Sequence, residues 1–361
     1  MWMARVGAVA LIALGLACGA LGKTGRTYYT EQRLEWMREN LEKYEWAKEE
    51  AAKVIQRADR AVGYEDDRLS EMVPPLEVPR TQRIHYYGCP IHGEDILKQP
   101  GGKDSWKISF DNMYKITCPI GGEQYPSNDF YAYLKGGCQD KALLTGEYVD
   151  DGWGATLPGH ERKFWFVSYF ALRMVRDLLL PAINNMSRAY LITGDERYAH
   201  KTAVLLYQLA QYYPDYYFEK QSAYGLEFDS SYKGRLQYHT AETFTIQDVS
   251  IAYDAIYPSI DGDAALQEWT GKSAEQIKAD IEDRILLVAA KDITDGSHRI
   301  QGNYGMHQSA LLRIALVLDT DEGELTSADM VEWVMKGPEK VSLYTDTPLP
   351  DALVNLFHRD G

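Results

Sequence analysis

Positive charge is in short supply in this sequence. Against 53 Asp and Glu stand only 38 Lys and Arg in 361 residues, a formal net charge of −15. Non-specific binding to nucleic acid or to an anionic membrane surface needs a basic excess, so neither is expected as a partner. Apolar runs of membrane length are missing after residue 22. No strand–helix–strand rhythm and no Gly-rich phosphate loop occur, which argues against nucleotide-binding folds. Cysteine is scarce as well. Of four, Cys18 lies in the N-terminal segment, leaving Cys89, Cys118 and Cys138. An odd number in an exported chain permits one disulfide and a spare thiol, or points to metal.

What remains is ample for a core, with 45% hydrophobic and 25% charged residues. Tyr dominates the aromatics at 26 residues, a side chain suited to stacking on sugars and equally to lining a core. Residues 1–22 read as a signal peptide, with Arg5 as the positive region, Val6 to Leu16 as the apolar region and Ala20-Leu21-Gly22 as the cleavage site before Lys23. A transmembrane anchor and a lipoprotein signal at Cys18 are the other readings, although Gly15 stands where a lipoprotein box carries Leu. The expectation is an exported protein, periplasmic or extracellular, with no membrane contact after signal removal.

Residues 23–63 carry apolar side chains at helical spacing (Leu34, Met37, Leu41, Tyr44, Ala47, Ala51, Val54), predicting a surface helix from Thr30 to Val62 closed by Gly63. In residues 64–158 this periodicity is lost and Pro, Gly and Asn are frequent, predicting loops and a few short strands. From 159 to 361 it returns. Helices are expected over Phe164–Leu180 with a stop near Pro181, then Ile183–Thr193, Arg197–Tyr212, Thr243–Ile256, Ser273–Ala290 and Gly305–Leu318. Short turns between such pairs predict a mainly α fold of antiparallel hairpins around a shared core.

The stretch from Ser187 to Tyr217, with its Thr193-Gly194-Asp195-Glu196 turn, resembles the helical hairpin of heparinase II/III-like polysaccharide lyases. Ile251-Ala252-Tyr253-Asp254 and Gly302-Asn303-Tyr304-Gly305-Met306-His307 resemble two further segments of that family. The resemblance, over roughly residues 84–361, implies an (α/α) toroid binding an acidic polysaccharide in a groove. It also implies cleavage by β-elimination, in which a carboxamide neutralises the uronate carboxylate while other groups move protons. On it Asn303 is the candidate neutraliser, His307 a candidate proton-transfer or orienting residue, and Tyr304 and Arg299 candidate substrate contacts. His239 and Glu242, three residues apart, are further substrate-site candidates. For Asn303, His307, His239 and Glu242, a capping or satisfied structural role stays open. Lys233, Arg235 and Arg313 are available to a groove as well, or form solvated surface. The family continues a segment like Arg359-Asp360-Gly361 with a catalytic Tyr and a β-sandwich domain, so the toroid is expected to be incomplete and stand-alone activity doubtful. Tyr344 does not replace that Tyr.

Gly88-Cys89-Pro90-Ile91-His92-Gly93 and Thr117-Cys118-Pro119-Ile120-Gly121-Gly122 each resemble a zinc knuckle. The first offers Cys89 and His92. The second offers Cys118 alone, because Gly121 occupies the ligand position, and Cys138 or another side chain is left to complete the set. A structural zinc, a Cys89–Cys118 disulfide and free thiols are the three readings. The functional expectation is a uronate-cleaving polysaccharide lyase; an (α/α) glycoside hydrolase drawing on carboxylates such as Asp150, Asp151 and Glu242, or a non-catalytic glycan-binding scaffold, are the alternatives.

Overall fold

A computed structural model describes residues 23–81, 88–161, 163–221, 233–303 and 305–336. The segment read as a signal peptide, Tyr304, Tyr344 and the C-terminal stretch to Gly361 lie outside the described residues. Helix makes up 60% of the structure and strand 4%, so a sheet-based architecture is excluded for the described residues. Among them, no helix is long and apolar enough to cross a membrane.

The charged N-terminal stretch forms two helices where one is expected, α1 (Glu31–Lys43) and α2 (Glu45–Val62), because Tyr44 between them is extended at φ −120° and ψ 129°. Ala47, Ala51, Ala58 and Ala61 form the buried stripe of α2, and side chains this small let it pack closely on the central helix. Residues 64–158 hold short elements: α3 (Asp66–Ser70), the antiparallel pair β1 (Ile116–Thr117) and β2 (Gln124–Tyr125), and α4 (Phe130–Lys135). This region does more than decorate a scaffold. Leu69, Ile96, Trp106, Tyr114, Ile116 and Phe130 belong to the same continuous core as the later helices.

The central rod runs from α5 (Phe166–Met174) through a π-helical turn (Val175–Leu179) into α6 (Leu180–Thr193). The expected stop at Pro181 does not occur. Proline lacks the N–H that a regular turn would use, and its ring crowds the carbonyl four residues back. The wider turn directly before it relieves both demands, and the helix continues. Asn184 and Asn185 consequently lie inside this helix, where Asn185 donates to the Pro181 carbonyl at 2.6 Å. Nearly every residue of α5 is buried, as an all-round apolar helix requires. Gly194, left-handed at φ 70°, ends the rod, and Asp195 caps α7 (Glu196–Tyr212) by accepting from the Arg197 amide.

After α7 come α8 (His239–Ile256), α9 (Ala264–Thr270), and a second rod made of α10 (Ala274–Ile281), a π turn and α11 (Val288–Thr294). The described helices close with α12 (Met306–Leu318) and α13 (Ser327–Lys336). Helices α2, α6, α8 and α12 lie side by side in that order. Behind them, α7 touches α6, α8 and α10, the second rod touches α7 and α12, and α13 touches α12.

One buried carboxylate fastens the N-terminal segment to this frame. Asp254 of α8 accepts from Lys23 Nζ at 2.6 Å, the Thr27 amide and hydroxyl at 2.8 and 3.0 Å, and the amides of Tyr28 and Tyr29 at 3.1 and 2.8 Å. Removing one partner of a buried ion pair strands the other charge, so Asp254→Ala is expected to cost about 3–5 kcal/mol, measured by urea unfolding. Limited proteolysis should then cut at Lys23 and Arg26, sites the wild type protects.

Candidate functional site

Helices α8 and α12 begin at the same end of the fold. The loops that feed them are stitched together there: Lys233 Nζ donates to the Ser297 carbonyl at 2.8 Å, and Thr240 Oγ1 to the Gln301 carbonyl at 3.5 Å. The Arg299 guanidinium lies 4.2 Å from the centre of the Tyr217 ring. Three buried polar atoms in this small region have no hydrogen-bond partner: Arg299 Nε, Gln301 Oε1 and His307 Nδ1. Buried polar groups are normally paired, so such a cluster needs an explanation, and a ligand that supplies the partners is one.

His307 sits in the first turn of α12, with its ring held by the Gly302 backbone and edge-on to Trp333 at 6.1 Å. Burial pushes its pKa down to about 4, against the weaker opposing effect of the Gly302 bond. His239 opens α8 with its ring edge-on to Tyr238, and burial together with the Lys233 ammonium takes it to about 4 too. Both imidazoles are therefore neutral near pH 7. Asn303 is exposed just ahead of α12, whose cap is Gly305, and its own carbonyl accepts from the Met306 amide at 3.0 Å. Asn303 and His307 thus flank the cap and do not share one helix face. Tyr304 lies outside the described residues.

Glu242 departs from the expectation of a substrate contact. Its side chain is fully enclosed, accepting from the Tyr213 hydroxyl at 2.9 Å and the Gln237 amide at 2.6 Å. Arg235 is likewise internal, paired with Asp292 at 3.0 Å through Nη2. Asp150, also fully buried, accepts from the amides of Gly152, Gly154 and Val167 and so organises the entry to α5. Arg176 and Gln237 were not anticipated: Arg176 Nε donates to Gln237 Oε1 at 2.8 Å, beneath the Tyr238 ring.

A separate concavity of about 610 Å³ lies between α3, α4 and α7, with Tyr131, Trp153 and Tyr212 on its walls. Its Glu71 carboxylate is already engaged by Arg68, Tyr131 and Lys135. Three of the unmet polar atoms among the described residues, Arg299 Nε, Gln301 Oε1 and His307 Nδ1, lie together along the segment entering α12, beside the start of α8, so the candidate site is placed there.

The two cysteine turns form a second cluster. The β1–β2 register sets Cys118 opposite Glu123, whose carbonyl accepts from the Cys118 amide at 2.9 Å. The first turn closes through Cys89 and Gly93, which exchange backbone bonds of 2.9 and 2.7 Å. Cys89, His92, Cys118 and Glu123 then present ligand atoms all within 4.8 Å of one another, a group able to hold a metal ion. Cys138 is not among them; it lines the separate concavity, so the fourth donor of the set is Glu123. Cys89, Cys118 and Cys138 are all free thiols, and the Cys89–Cys118 disulfide is not formed. No protein-family model, curated protein or solved structure matches the chain.

Titration separates these buried groups. Between about pH 4 and 6.5 the unfolded chain binds protons at His239 and His307 that the folded chain does not, so their contribution to stability grows as pH rises. Glu242 acts oppositely. Burial lifts it from 4.5 to about 7, so across that window the folded chain keeps a proton the unfolded chain has lost, and stability falls as pH rises. His307→Gln is expected to flatten the acid-side slope in urea unfolding. Glu242→Gln, whose amide can donate to Tyr213 while its oxygen still accepts from Gln237, should remove the opposite slope.

Proposed function

We propose that this chain acts as a polysaccharide lyase that cleaves an acidic, uronate-containing glycan by β-elimination, its helical hairpins arranged as an (α/α) toroid. The observation that carries the reading is the cluster of unpartnered buried atoms, Arg299 Nε, Gln301 Oε1 and His307 Nδ1, at the common start of α8 and α12. The side-by-side order of α6, α8 and α12, with α7 and the second rod behind them, agrees with the toroid. Export through residues 1–22 completes the reading.

β-Elimination removes the proton on the carbon beside the uronate carboxylate and expels the glycosidic oxygen from the adjacent carbon. The carboxylate charge opposes the carbanionic transition state, and a hydrogen-bonding amide or a cation lessens that opposition. Exposed Asn303 and the guanidinium of Arg299 are the groups assigned to the carboxylate. His307, neutral and with Nδ1 unpartnered, is assigned to accept the proton or to orient the sugar, and His239 lines the same end. A hydrolase would instead need two carboxylates facing each other across the substrate. Asp150 and Glu242, two that it would draw on, are enclosed and committed to internal hydrogen bonds.

The test is incubation of the purified chain with a panel of uronate polysaccharides, following the ultraviolet absorbance of the unsaturated uronate product. The groups assigned here, His307, Asn303 and Arg299, all belong to this chain. Absorbance is therefore expected with at least one member, against the doubt that the family resemblance casts on stand-alone activity, and His307→Ala should lower the rate by about 10²–10⁴-fold. New reducing ends without absorbance would assign a hydrolase. Retardation in affinity electrophoresis with neither signal would assign a binding scaffold. Either result overturns the lyase reading.

A further inference from the structure

We propose that Cys89, His92, Cys118 and Glu123 form a closed structural zinc site, with Glu123 taking the ligand position that Gly121 leaves vacant in the second cysteine turn. This inference is independent of the glycan reading and rests on three observations.

The first is geometric. Both sulfurs, Cys89 Sγ and Cys118 Sγ, lie 3.5 Å from the same ring nitrogen, His92 Nδ1, and Glu123 Oε2 lies 3.7 Å from it. One imidazole nitrogen offers a single proton or a single lone pair, so it can hydrogen-bond only one of the three neighbours. As edges of a coordination tetrahedron the distances need no such choice. Sulfur at about 2.3 Å and nitrogen at about 2.0 Å from a central zinc fall roughly 3.5 Å apart.

The second observation is an orphan. Glu123 Oε2 is buried and has no hydrogen-bond partner, a costly state for a carboxylate oxygen unless a cation completes it.

The third concerns the departure from the knuckle pattern. Gly121 has an ordinary backbone conformation, and a Cβ built on it would meet Glu123 Oε1 at 2.1 Å, with its three nearest atoms all belonging to Glu123. The carboxylate occupies the space that a cysteine or histidine at 121 would use. Glycine at the expected ligand position and a carboxylate two residues later are two halves of one substitution.

The donor set also names the metal. Two thiolates, an imidazole and one carboxylate suit zinc and are wrong for calcium or magnesium, which take oxygen ligands. Four protein ligands leave no open position, the mark of a structural site. As the ion binds, both thiols release their protons and the imidazole is neutral, so affinity falls with falling pH. The site would staple the two turns beside Tyr125. That hydroxyl is 3.5 Å from Cys89 Sγ, and its ring stacks on Phe166, the first residue of α5, at 4.9 Å.

The experiment is elemental analysis of the full chain, purified without added reductant and without a metal-affinity step, followed by X-ray absorption at the zinc edge. One zinc per chain is expected, with two sulfur and two lighter ligands. Cobalt exchanged into the protein should show thiolate-to-metal charge transfer. Glu123→Ala should weaken zinc binding at least tenfold, and adding Gly121→Cys to that variant should restore it with a third sulfur ligand. Zinc well below one per chain with both thiols freely reactive would overturn the proposal, as would a Cys89–Cys118 disulfide in the purified protein. Unchanged zinc affinity in Glu123→Ala would remove Glu123 from the site. The wild-type metal content decides the matter even where a variant fails to fold.

Discussion

The placement of the candidate site depends on a buried set of charges that holds residues 233–238 inside the fold. Arg80, with no exposed surface, donates to the carbonyls of Leu236 and Arg235 at 2.8 and 3.2 Å and to Gln221 at 2.9 Å, with its guanidinium over the Tyr216 ring. Arg235 reaches the Pro214 carbonyl at 2.6 Å and Asp292 of α11. Glu242 closes the set through Tyr213 and Gln237. Desolvating these charges is expensive, and ion pairs of this kind contribute little net stability compared with apolar packing. What they fix is position. The segment entering α8 is tied at once to the end of α7 and to α11, which sets where His239 stands relative to the loop that carries Arg299, Gln301 and His307.

The same exclusion of water shapes the chemistry. It holds His239 and His307 neutral near pH 7 and lifts Glu242 to about 7, and the Glu242 carboxylate is a structural part of the wall. An overall charge of −15 does not conflict with an anionic substrate, because the cations near the site, Arg299, Lys233 and Arg176, act over a short distance. Screening in salt solution confines charges elsewhere on the surface to a weak effect.

How far these features were legible in the sequence depends on the physics behind each. Helices α7 and α12 follow from apolar spacing and from the Gly194-Asp195 stop-and-cap pair, which are local signals. The break at Tyr44 and the passage through Pro181 were not legible: the first has no Gly or Pro to mark it, and the second is made possible by a π turn with no sequence signature of its own. Glu242 reads from sequence as a substrate contact or a helix cap and Asp150 as a candidate hydrolase carboxylate, and only the tertiary fold reveals that both are enclosed. Glu123 was overlooked because a knuckle pattern directs attention to position 121. The readable signal was a carboxylate directly beyond the second glycine, facing Cys118 across a hairpin.

The proposed function places a uronate glycan where α8 and α12 begin, with its carboxylate at Asn303 and the Arg299 guanidinium and the carbon beside it at His307 Nδ1. The most direct measurement is nitrogen NMR of the protein labelled at histidine, titrated with a uronate oligosaccharide and with a neutral one of equal length. The His307 Nδ1 resonance is expected to shift and saturate with the uronate oligosaccharide and to stay in place with the neutral one. A His307 signal indifferent to both, or equally responsive to both, would contradict it.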